Sequence, residues 1–444
     1  MQGETEMSIT LAGTGCGSLG SMTVEVREAI RSADLLIGAE RLLEGLPEEY
    51  TAEKVPAIYA RDILSPIVER MERGAGNSSE DAGAPDPEPV EPDPEPVEPA
   101  ICVLYSGDSG FYSGTRSLLP LLKEAGLKAR VLPGISSIQV FSARLGEPWQ
   151  DWKLVSAHGT DCDAVTAVMQ GQPVFFLTGG KLTPTELCAQ LSEAGLGELQ
   201  VTVGERLTYE DERIAYGTAA EFAGMSFAPL SVMLAEPASW AGDLTPGIAD
   251  SEFIRGDVPM TKQSVRAAIL GQLQVRPSDT VWDVGAGTGS VSVELAMKAS
   301  RGRVYAVERD EDGCILIRQN REKFGVWNLC PVDGAAPEAL KDLPAPDKVF
   351  VGGSGGTLRE IVRIVLEKNP NARICVSAIV METVHEAARS MTEAGLEPEI
   401  IQVSVSTARN TRAGHMMMAG NPIFIVTGQR AGEADGLQPG GLNA

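Results

Sequence analysis

Three glycines at alternate positions follow a short apolar run in the second half of the chain. The run Thr280–Val284 predicts a buried strand, Gly285, Gly287 and Gly289 predict a tight turn, and a helix is predicted from Ser290 onward. Strand, glycine turn and helix are together typical of a nucleotide-binding α/β unit, because glycine lets the backbone turn sharply and lets a ligand approach it. The third glycine comes one residue earlier than the dinucleotide-binding fingerprint requires, so that fingerprint fits poorly.

Two acidic residues accompany the glycines. Asp283 lies just before the turn, and Glu308 ends the next predicted strand, Arg303–Val307. An acid about 20 residues beyond the glycines, at a strand end, can accept hydrogen bonds from both hydroxyls of a ribose. The pattern acid-x-Gly-x-Gly-x-Gly resembles the S-adenosylmethionine (SAM) signature of Rossmann-like methyltransferases. The alternative is a surface turn that happens to contain a glutamate.

Composition limits the function classes. A chain of 444 residues suggests two domains. The net charge of −24 and the lack of a basic face disfavour nucleic-acid binding. No apolar run approaches the ~20 residues that span a membrane, and the acidic N-terminus lacks a signal-peptide core, so the cytoplasm is expected. Seven cysteines without a CxxC pair and three histidines predict neither disulfides nor a metal site.

The first half offers three polar loops, each after a predicted strand. Strand Met7–Leu11 leads to the glycine-rich loop Gly13–Gly17, and strand Ile101–Tyr105 leads to the Gly-Asp-Ser sequence in Ser106–Gly110. A third loop, Pro133–Ser137, precedes a predicted helix. Glycines around an acid at a strand end favour ligand binding. The Gly13–Gly17 loop by itself is equally typical of a tight turn.

The sequence predicts two domains, an insertion within the first, a linker and a tail. The first domain is expected to cover residues 1–236, interrupted by an acidic, proline-rich insertion at 74–99 that we expect to be disordered or, alternatively, to dock a partner. A linker rich in proline, glycine and small residues is expected at 237–251. The second domain is expected at 252–430, followed by a flexible tail at 431–444.

Taken in order, the motifs resemble a known family. The three loops of the first half resemble the tetrapyrrole methylases, and Ile37–Leu43 with the Gly-Asp-Ser loop resembles their CbiE branch. In the second half, Phe253–Lys262, the SAM-like turn and Gly334–Leu340 resemble CbiT. The whole is similar to the bifunctional precorrin-6Y C5,15-methyltransferases (decarboxylating) of the CobL type.

This resemblance implies an α/β architecture: a two-subdomain tetrapyrrole methylase fold followed by a Rossmann-like, seven-stranded SAM methyltransferase domain. It implies two SAM sites, with the Gly13–Gly17 loop facing a tetrapyrrole. The first site would be formed by Gly107, Asp108, Ser109, Ser136 and Ser137. The second would be formed by Thr261, Gly285, Ala286, Gly287, Thr288, Gly289, Glu308, Gly334, Ala335 and Ala336. Family members often carry aspartate where Ala335 stands, so an adenine contact there would come from the backbone or from Asp333.

The resemblance also implies methylation of precorrin-6Y at C5 and C15 with loss of the C12 acetate carboxylate, giving precorrin-8. No catalytic residue is identified, because positioning supplies most of the rate of such a methyl transfer. Precorrins carry many carboxylates, so cationic side chains are expected to bind them. The candidates are Arg255, Lys262, Arg266, Arg409, Arg412 and His415.

Three alternatives remain open at this point. The substrate could be the cobalt-containing equivalent, since a central metal need not contact the protein. The chain could be a nicotinamide-dependent oxidoreductase, although the early third glycine argues against it. One half could be an inactive scaffold. A homo-oligomer is expected because members of both families associate.

Overall fold

The computed structural model describes residues 8–76, 99–159, 161–238, 247–412 and 414–430. Most of the expected insertion, the centre of the expected linker and the expected tail lie outside these residues. Within the described ranges no helix is both long and apolar enough to cross a lipid bilayer.

The first half contains two five-stranded sheets. Its strands are β1 Ile9–Gly13, β2 Leu35–Gly38, β3 Glu53–Pro56, β4 Ile101–Tyr105, β5 Ala129–Leu132, β6 Lys153–Ser156, β7 Val174–Leu177, β8 Gln200–Glu205, β9 Arg213–Thr218 and β10 Ser231–Ala235. Its helices are α1 Val24–Arg31, α2 Glu40–Glu44, α3 Ala60–Gly76, α4 Thr115–Glu124, α5 Ser137–Leu145, α6 Ala164–Val168, α7 Pro184–Glu193 and α8 Ala219–Phe222.

The two sheets differ in strand direction. The first, in the order β3-β2-β4-β1-β5, is entirely parallel. Its central strands β1 and β4 are buried along their whole length, as expected for strands covered on both faces. The second, in the order β6-β7-β10-β8-β9, pairs antiparallel except between β6 and β7. These sheets define the two subdomains of the first half.

The second half forms one seven-stranded sheet with a separate hairpin. Its strands are β11 Thr280–Val284, β12 Arg303–Glu308, β13 Leu329–Asp333, β14 Lys348–Val351, β15 Arg373–Ala378, β16 Glu397–Val403, β17 Ser406–Thr411, β18 Gly414–Ala419 and β19 Ile423–Gln429. Its helices are α9 Gln263–Leu273, α10 Ser290–Lys298, α11 Glu311–Phe324, α12 Leu358–Lys368 and α13 Met381–Glu393. Strands β17 and β18 pair only with each other and are exposed throughout.

The order β13-β12-β11-β14-β15-β19-β16 places β11 at the centre of the second-half sheet, which is parallel except for its last two pairings. Successive residues of β11 enter different cores: Val281 joins the cluster on one face, and Trp282 joins the cluster on the other. The predicted α/β class and the seven-stranded sheet are confirmed.

The two halves contact each other through a tryptophan. Trp327, which follows α11, is only 9% exposed and belongs to the hydrophobic cluster of the second subdomain. A Cβ placed on Gly195, after α7, would lie 3.4 Å from the Trp327 ring. The Arg321 guanidinium lies over the same ring, 5.6 Å from its centre. The halves therefore share a packed interface.

Candidate functional site

A cavity of about 1590 Å³ lies at the carboxyl ends of the central strands of the second-half sheet. The turn after β11, the end of β12, the loop after β14 and the end of β15 all contribute to its wall. Parallel strands bring these loops together because their carboxyl ends meet at one edge of the sheet. Pockets for a single small ligand usually enclose about 300–1,000 Å³. The volume therefore accommodates a cofactor together with a second large molecule.

The glycine turn needs glycine for measurable reasons. Gly285, Gly287 and Gly289 all have positive φ angles, between 56° and 76°. A Cβ on Gly285 would lie 2.6 Å from the carbonyl oxygen of Gly353, so no other residue allows the turn and the Gly352–Gly356 loop to approach each other. Gly289 is not part of the cavity wall, and a Cβ there would lie 3.0 Å from Ile317 of α11. Its role in this structure is close packing.

Glu308 organises the turn from the neighbouring strand. Its Oε2 accepts a hydrogen bond from the Gly287 N–H at 2.7 Å. Its Oε1 accepts from the N–H groups of Arg309 and Asp310 at 2.8 and 2.9 Å. The side chain lines the cavity and is nearly buried. Backbone N–H groups thus fix both carboxylate oxygens in the cavity wall.

Asp283 is a fully buried acid beneath the turn. The pKa of its carboxyl is raised to about 7: burial raises it most, the negative charge of Glu308 also raises it, and the hydrogen bond from Ser292 lowers it. Its Oδ2 accepts that bond, and Oδ1 has no partner among the described residues. Thr288 Oγ1 is likewise buried without a partner there. Two polar atoms at the base of the cavity are therefore available to a ligand or water.

These features fit SAM. The glycine turn admits a ligand close to the backbone, Glu308 offers acceptors for ribose hydroxyls, and Asp283 places an acid near the turn. Thr261, Gly285, Ala286, Gly287, Thr288, Glu308, Gly334, Ala335 and Ala336 all line the cavity. Asp333, by contrast, is not in the wall: its carboxylate receives two hydrogen bonds of 2.7 Å from Arg318. At Ala335, whose carbonyl oxygen accepts a hydrogen bond from the Ala339 N–H at 3.0 Å, only the backbone could supply an adenine contact.

Arg266 does not reach the cavity. The side chain is fully buried, and its donors are engaged by Glu294, Asp250 and the carbonyl groups of Thr261 and Ile248. Its guanidinium also lies over the Phe253 ring. This placement corrects the expectation that Arg266 binds a substrate carboxylate. It instead holds Thr261, and the segment that leads into α9, against the domain.

The other cationic candidates lie nearer to solvent. Lys262 is exposed and lines the cavity. Arg255, Arg409, Arg412 and His415 are exposed but are not part of the wall. Arg409 and His415 lie on the two strands of the hairpin β17–β18. Arg409 lies on the same hairpin face as Thr407, which does line the cavity.

In the first half, three glycine-containing loops meet at the ends of adjacent strands. Gly15 and Gly107 exchange backbone hydrogen bonds of 3.1 and 2.8 Å. A Cβ on Gly134 would lie 2.3 Å from the Gly107 carbonyl oxygen and 2.5 Å from that of Gly13. The strand order places β4, β1 and β5 side by side, which explains why Gly13 meets Gly134 although they are 121 residues apart (134 − 13) in the chain.

Asp108 and Ser109 have hydrogen-bond partners in or next to these loops, whereas the buried Ser136 hydroxyl has none among the described residues. Asp108 accepts hydrogen bonds from the N–H groups of Gly110 and Gly134, at 2.9 and 3.0 Å. Ser109 is buried and donates to the Leu132 carbonyl oxygen. Ser136 is the N-cap of α5, whose first residue is Ser137. The Asp108 side chain therefore connects two of the loops that form the predicted SAM site.

The sequence did not reveal several functional residues around the second-half cavity. Asp250 and Glu294 hold Arg266, yet they are 16 and 28 residues from it in the chain. Val405, Met418 and Asn421 belong to the cavity wall, although nothing in their local sequence indicates a ligand. Only the tertiary arrangement of the hairpin beside β19 places them there.

The two halves match two protein families. Residues 8–223 match the tetrapyrrole (corrin/porphyrin) methylases, and residues 252–428 match the precorrin methyltransferase domain. A probable cobalt-precorrin-6B C(15)-methyltransferase (decarboxylating) of Pyrobaculum calidifontis is 43% identical over 188 residues, which cover 41% of this chain and 95% of that protein.

Another relative extends over both halves. A precorrin-6Y C(5,15)-methyltransferase (decarboxylating) of a Sinorhizobium species is 29% identical over 405 residues, covering 90% of this chain and 91% of that protein. A crystal structure of a precorrin-6Y C5,15-methyltransferase from Geobacter metallireducens GS-15 is 36% identical and covers 42% of this chain and 96% of that chain, with a TM-score of 0.40. The chain therefore belongs to the precorrin methyltransferases, with a tetrapyrrole methylase domain preceding the precorrin methyltransferase domain.

Proposed function

We propose that the chain methylates precorrin-6Y at C5 and C15 and removes the carboxylate of the C12 acetate, giving precorrin-8. The observation that carries the proposal is the match to the Sinorhizobium precorrin-6Y C(5,15)-methyltransferase along 90% of this chain, across both family domains. A nicotinamide-dependent oxidoreductase fits neither family. We assign C5 methylation to the first half, and C15 methylation with decarboxylation to the second.

The domain limits are part of the proposal. The family matches end at residue 223 and resume at residue 252, on either side of the predicted linker at 237–251. Two SAM sites are proposed, one in each half. That the enzyme is a homo-oligomer and lies in the cytoplasm remains a prediction.

The residues of the second half act by binding and orientation. When bound, SAM supplies an electrophilic methyl group. Glu308 and the glycine turn fix the cofactor against the strand ends, so the second molecule must occupy the remaining cavity, towards Lys262 and the hairpin. Lys262 offers a cation for a substrate carboxylate. Holding the two reactants in line at about 3 Å supplies most of the rate without a strong base.

Calorimetric titration of S-adenosylhomocysteine into the full chain tests the number of sites. The wild-type chain is expected to bind two equivalents, and Gly287→Leu is expected to bind one. Gly287 has a φ of 56°, and a Cβ on it would lie 3.1 Å from the Pro259 carbonyl oxygen, so a leucine there fills the cavity. Gly395→Leu is the matched control, because Gly395 has a φ of 80° but no neighbour within 4 Å.

The outcomes separate the hypotheses. Loss of one of two sites in Gly287→Leu, with both sites kept in Gly395→Leu, supports two independent SAM sites. A single wild-type site that disappears in Gly287→Leu would show that the first half does not bind SAM, and the bifunctional assignment would have to be withdrawn. Mass spectrometry of the product from precorrin-6Y should then show two added methyl groups and the loss of one carbon dioxide.

A second candidate substrate is the cobalt-containing equivalent. The Pyrobaculum relative is named as a cobalt-precorrin-6B methyltransferase. It is 43% identical over 188 residues, whereas the Sinorhizobium protein is 29% identical over 405 residues. Parallel assays with metal-free and cobalt-containing substrates distinguish the two. A KM at least tenfold lower for the cobalt form would favour this alternative.

A further inference from the structure

A hydrogen bond crosses between the two subdomains of the first half. Arg41 of α2 donates from Nη1 to the Tyr209 hydroxyl at 2.7 Å. Its Nη2 lies 3.4 Å from the Ser106 hydroxyl, at the end of β4. Tyr209 belongs to the loop between β8 and β9, in the other subdomain. The contact therefore connects the two subdomains beside the three glycine-containing loops.

The approach of Tyr209 requires a glycine on the opposite side. A Cβ on Gly17 would lie 2.4 Å from the Tyr209 hydroxyl and 2.5 Å from its ring carbon Cζ. In the same loop, the Thr208 hydroxyl donates to the Cys16 carbonyl oxygen at 3.0 Å. The loop after β8 is thus held directly against the Gly13–Gly17 loop, at the carboxyl ends of β1 and β4, where open α/β sheets bind their ligands.

The β8–β9 loop is held in an unfavourable backbone conformation. Arg206 and Thr208 have φ angles of 47° and 73°. Positive φ is a genuine outlier for a β-branched residue such as threonine. Tertiary contacts maintain it: the Thr208 N–H donates to Glu212 at 2.6 Å, and the Arg206 N–H donates to the Leu230 carbonyl oxygen at 2.7 Å. Strain that surrounding contacts maintain is concentrated at functional sites.

Arg41 differs from the neighbouring arginines in its partners. Arg144 pairs with Glu212, and Arg206 pairs with Asp211, both at 2.6 Å. Arg41 is exposed and, within the part of the chain that the structure describes, forms no ion pair and contacts two neutral hydroxyls. Its charge is fixed in place but not neutralised. A guanidinium in this state is suited to a carboxylate, which it can bind through two hydrogen bonds.

We propose that Arg41 binds a peripheral acetate or propionate carboxylate of the tetrapyrrole in the first half, and that Tyr209 is the residue that positions it. This assignment rests on the proposed function of the first half. Tyr209 itself is held on its other side by Arg206, whose guanidinium lies 5.0 Å from the ring centre. The arrangement orders the Arg41 side chain before the substrate arrives, which reduces the entropy cost of binding.

The test isolates the first half within the full chain. In a Gly287→Leu background, methyl transfer to precorrin-6Y reports the first site alone. Arg41→Gln should raise the KM for the tetrapyrrole about 10- to 100-fold, the range expected for losing a hydrogen-bonded charge. The kcat and the affinity for S-adenosylhomocysteine should change less than threefold. Arg41→Lys should restore part of the KM, and Tyr209→Phe should raise it several-fold.

Arg31→Gln is the matched control, since Arg31 is an exposed arginine on α1 that pairs with Glu49. It should leave the KM unchanged. An unchanged KM in Arg41→Gln would overturn the assignment while leaving the proposed function intact. A loss of cofactor affinity equal to the loss of tetrapyrrole affinity would also overturn it, because it would indicate a structural role. Absence of methyl transfer in the Gly287→Leu chain with Arg41 intact would refute the proposed function of the first half. It would also refute the role assigned to Arg41.

Discussion

Asp163 in the first half and Arg303 in the second half form a two-point ion pair. Arg303 Nε donates to Asp163 Oδ2 at 2.8 Å, and Nη2 donates to Oδ1 at 2.6 Å. Asp163 is also the N-cap of α6, and Arg303 is the first residue of β12. The pair therefore connects a helix start in one half to the strand that ends in Glu308 in the other.

Breaking this pair should weaken the contact between the halves. Thermal unfolding of the full chain can measure this in a double-mutant cycle of Asp163→Asn and Arg303→Met. We expect a coupling energy of about 1 kcal/mol between the two side chains, because both are partly exposed. Asparagine keeps the helix cap. The exposed Arg363–Glu367 pair, within one helix, should show a coupling of only a few tenths of a kcal/mol. Strict additivity of the two changes would argue against a role for Asp163 and Arg303 in docking.

Removing the buried cation at Arg266 should be costly. Arg266→Met leaves Glu294 fully buried without its partner, and we expect a loss of about 3–5 kcal/mol in the free energy of unfolding. The double variant Arg266→Met/Glu294→Leu should recover much of that loss, since no unpaired buried charge remains at those positions. Urea denaturation measures both. An unchanged free energy of unfolding in Arg266→Met would contradict this account of the buried Arg266–Glu294 pair.

Replacing Glu308 should impair the second SAM site selectively. In Glu308→Gln one oxygen becomes an NH₂ group, while three backbone N–H groups still point at the side chain. We expect the affinity of the second site to fall about 10- to 100-fold in calorimetry. Glu311→Gln, an exposed position at the start of α11, is the control and should bind normally. Equal weakening of both sites would contradict the assignment.

The buried carboxyl of Asp283 should make stability depend on pH. Its pKa rises from 3.8 to about 7 in the folded chain, first because of burial. Between these values the folded chain holds a proton that the unfolded chain releases, so the free energy of unfolding should decrease by a few kcal/mol as pH rises from about 4 to about 7. Above that pH the contribution of Asp283 becomes constant.

Asp283→Asn should flatten this slope, and denaturant titrations at several pH values measure it. The variant should be at least as stable as the wild-type chain at pH about 8, because the buried charge is gone. Asp342→Asn, at an exposed position, should keep the wild-type slope. A wild-type slope in Asp283→Asn would show that other groups cause the dependence.

Strands with clear apolar runs could be predicted from the sequence. Thr280–Val284 and Ile101–Tyr105 have the predicted limits. The hairpin β17–β18 could not be identified as a pair of strands, because its residues are exposed on both faces and give no alternating pattern.

The cavity wall around the glycine turn could also be predicted, because local spacing determines it. The role of Arg266 could not, since residue type does not reveal burial and its partner Glu294 is distant in sequence. The local sequence around Arg41 did not indicate a binding role either, because the side chain is held in place by Tyr209, 168 residues away.

The packing of Trp327 has a practical consequence for dividing the chain. The first half covers this indole in the intact protein, so residues 247–444 produced alone would expose it beside Arg321. A newly exposed aromatic surface promotes self-association. A polar residue at position 327 should therefore improve the solubility of the isolated second half. The same indole gives the intact chain a fluorescent reporter, because its emission should shift to longer wavelength when the halves separate.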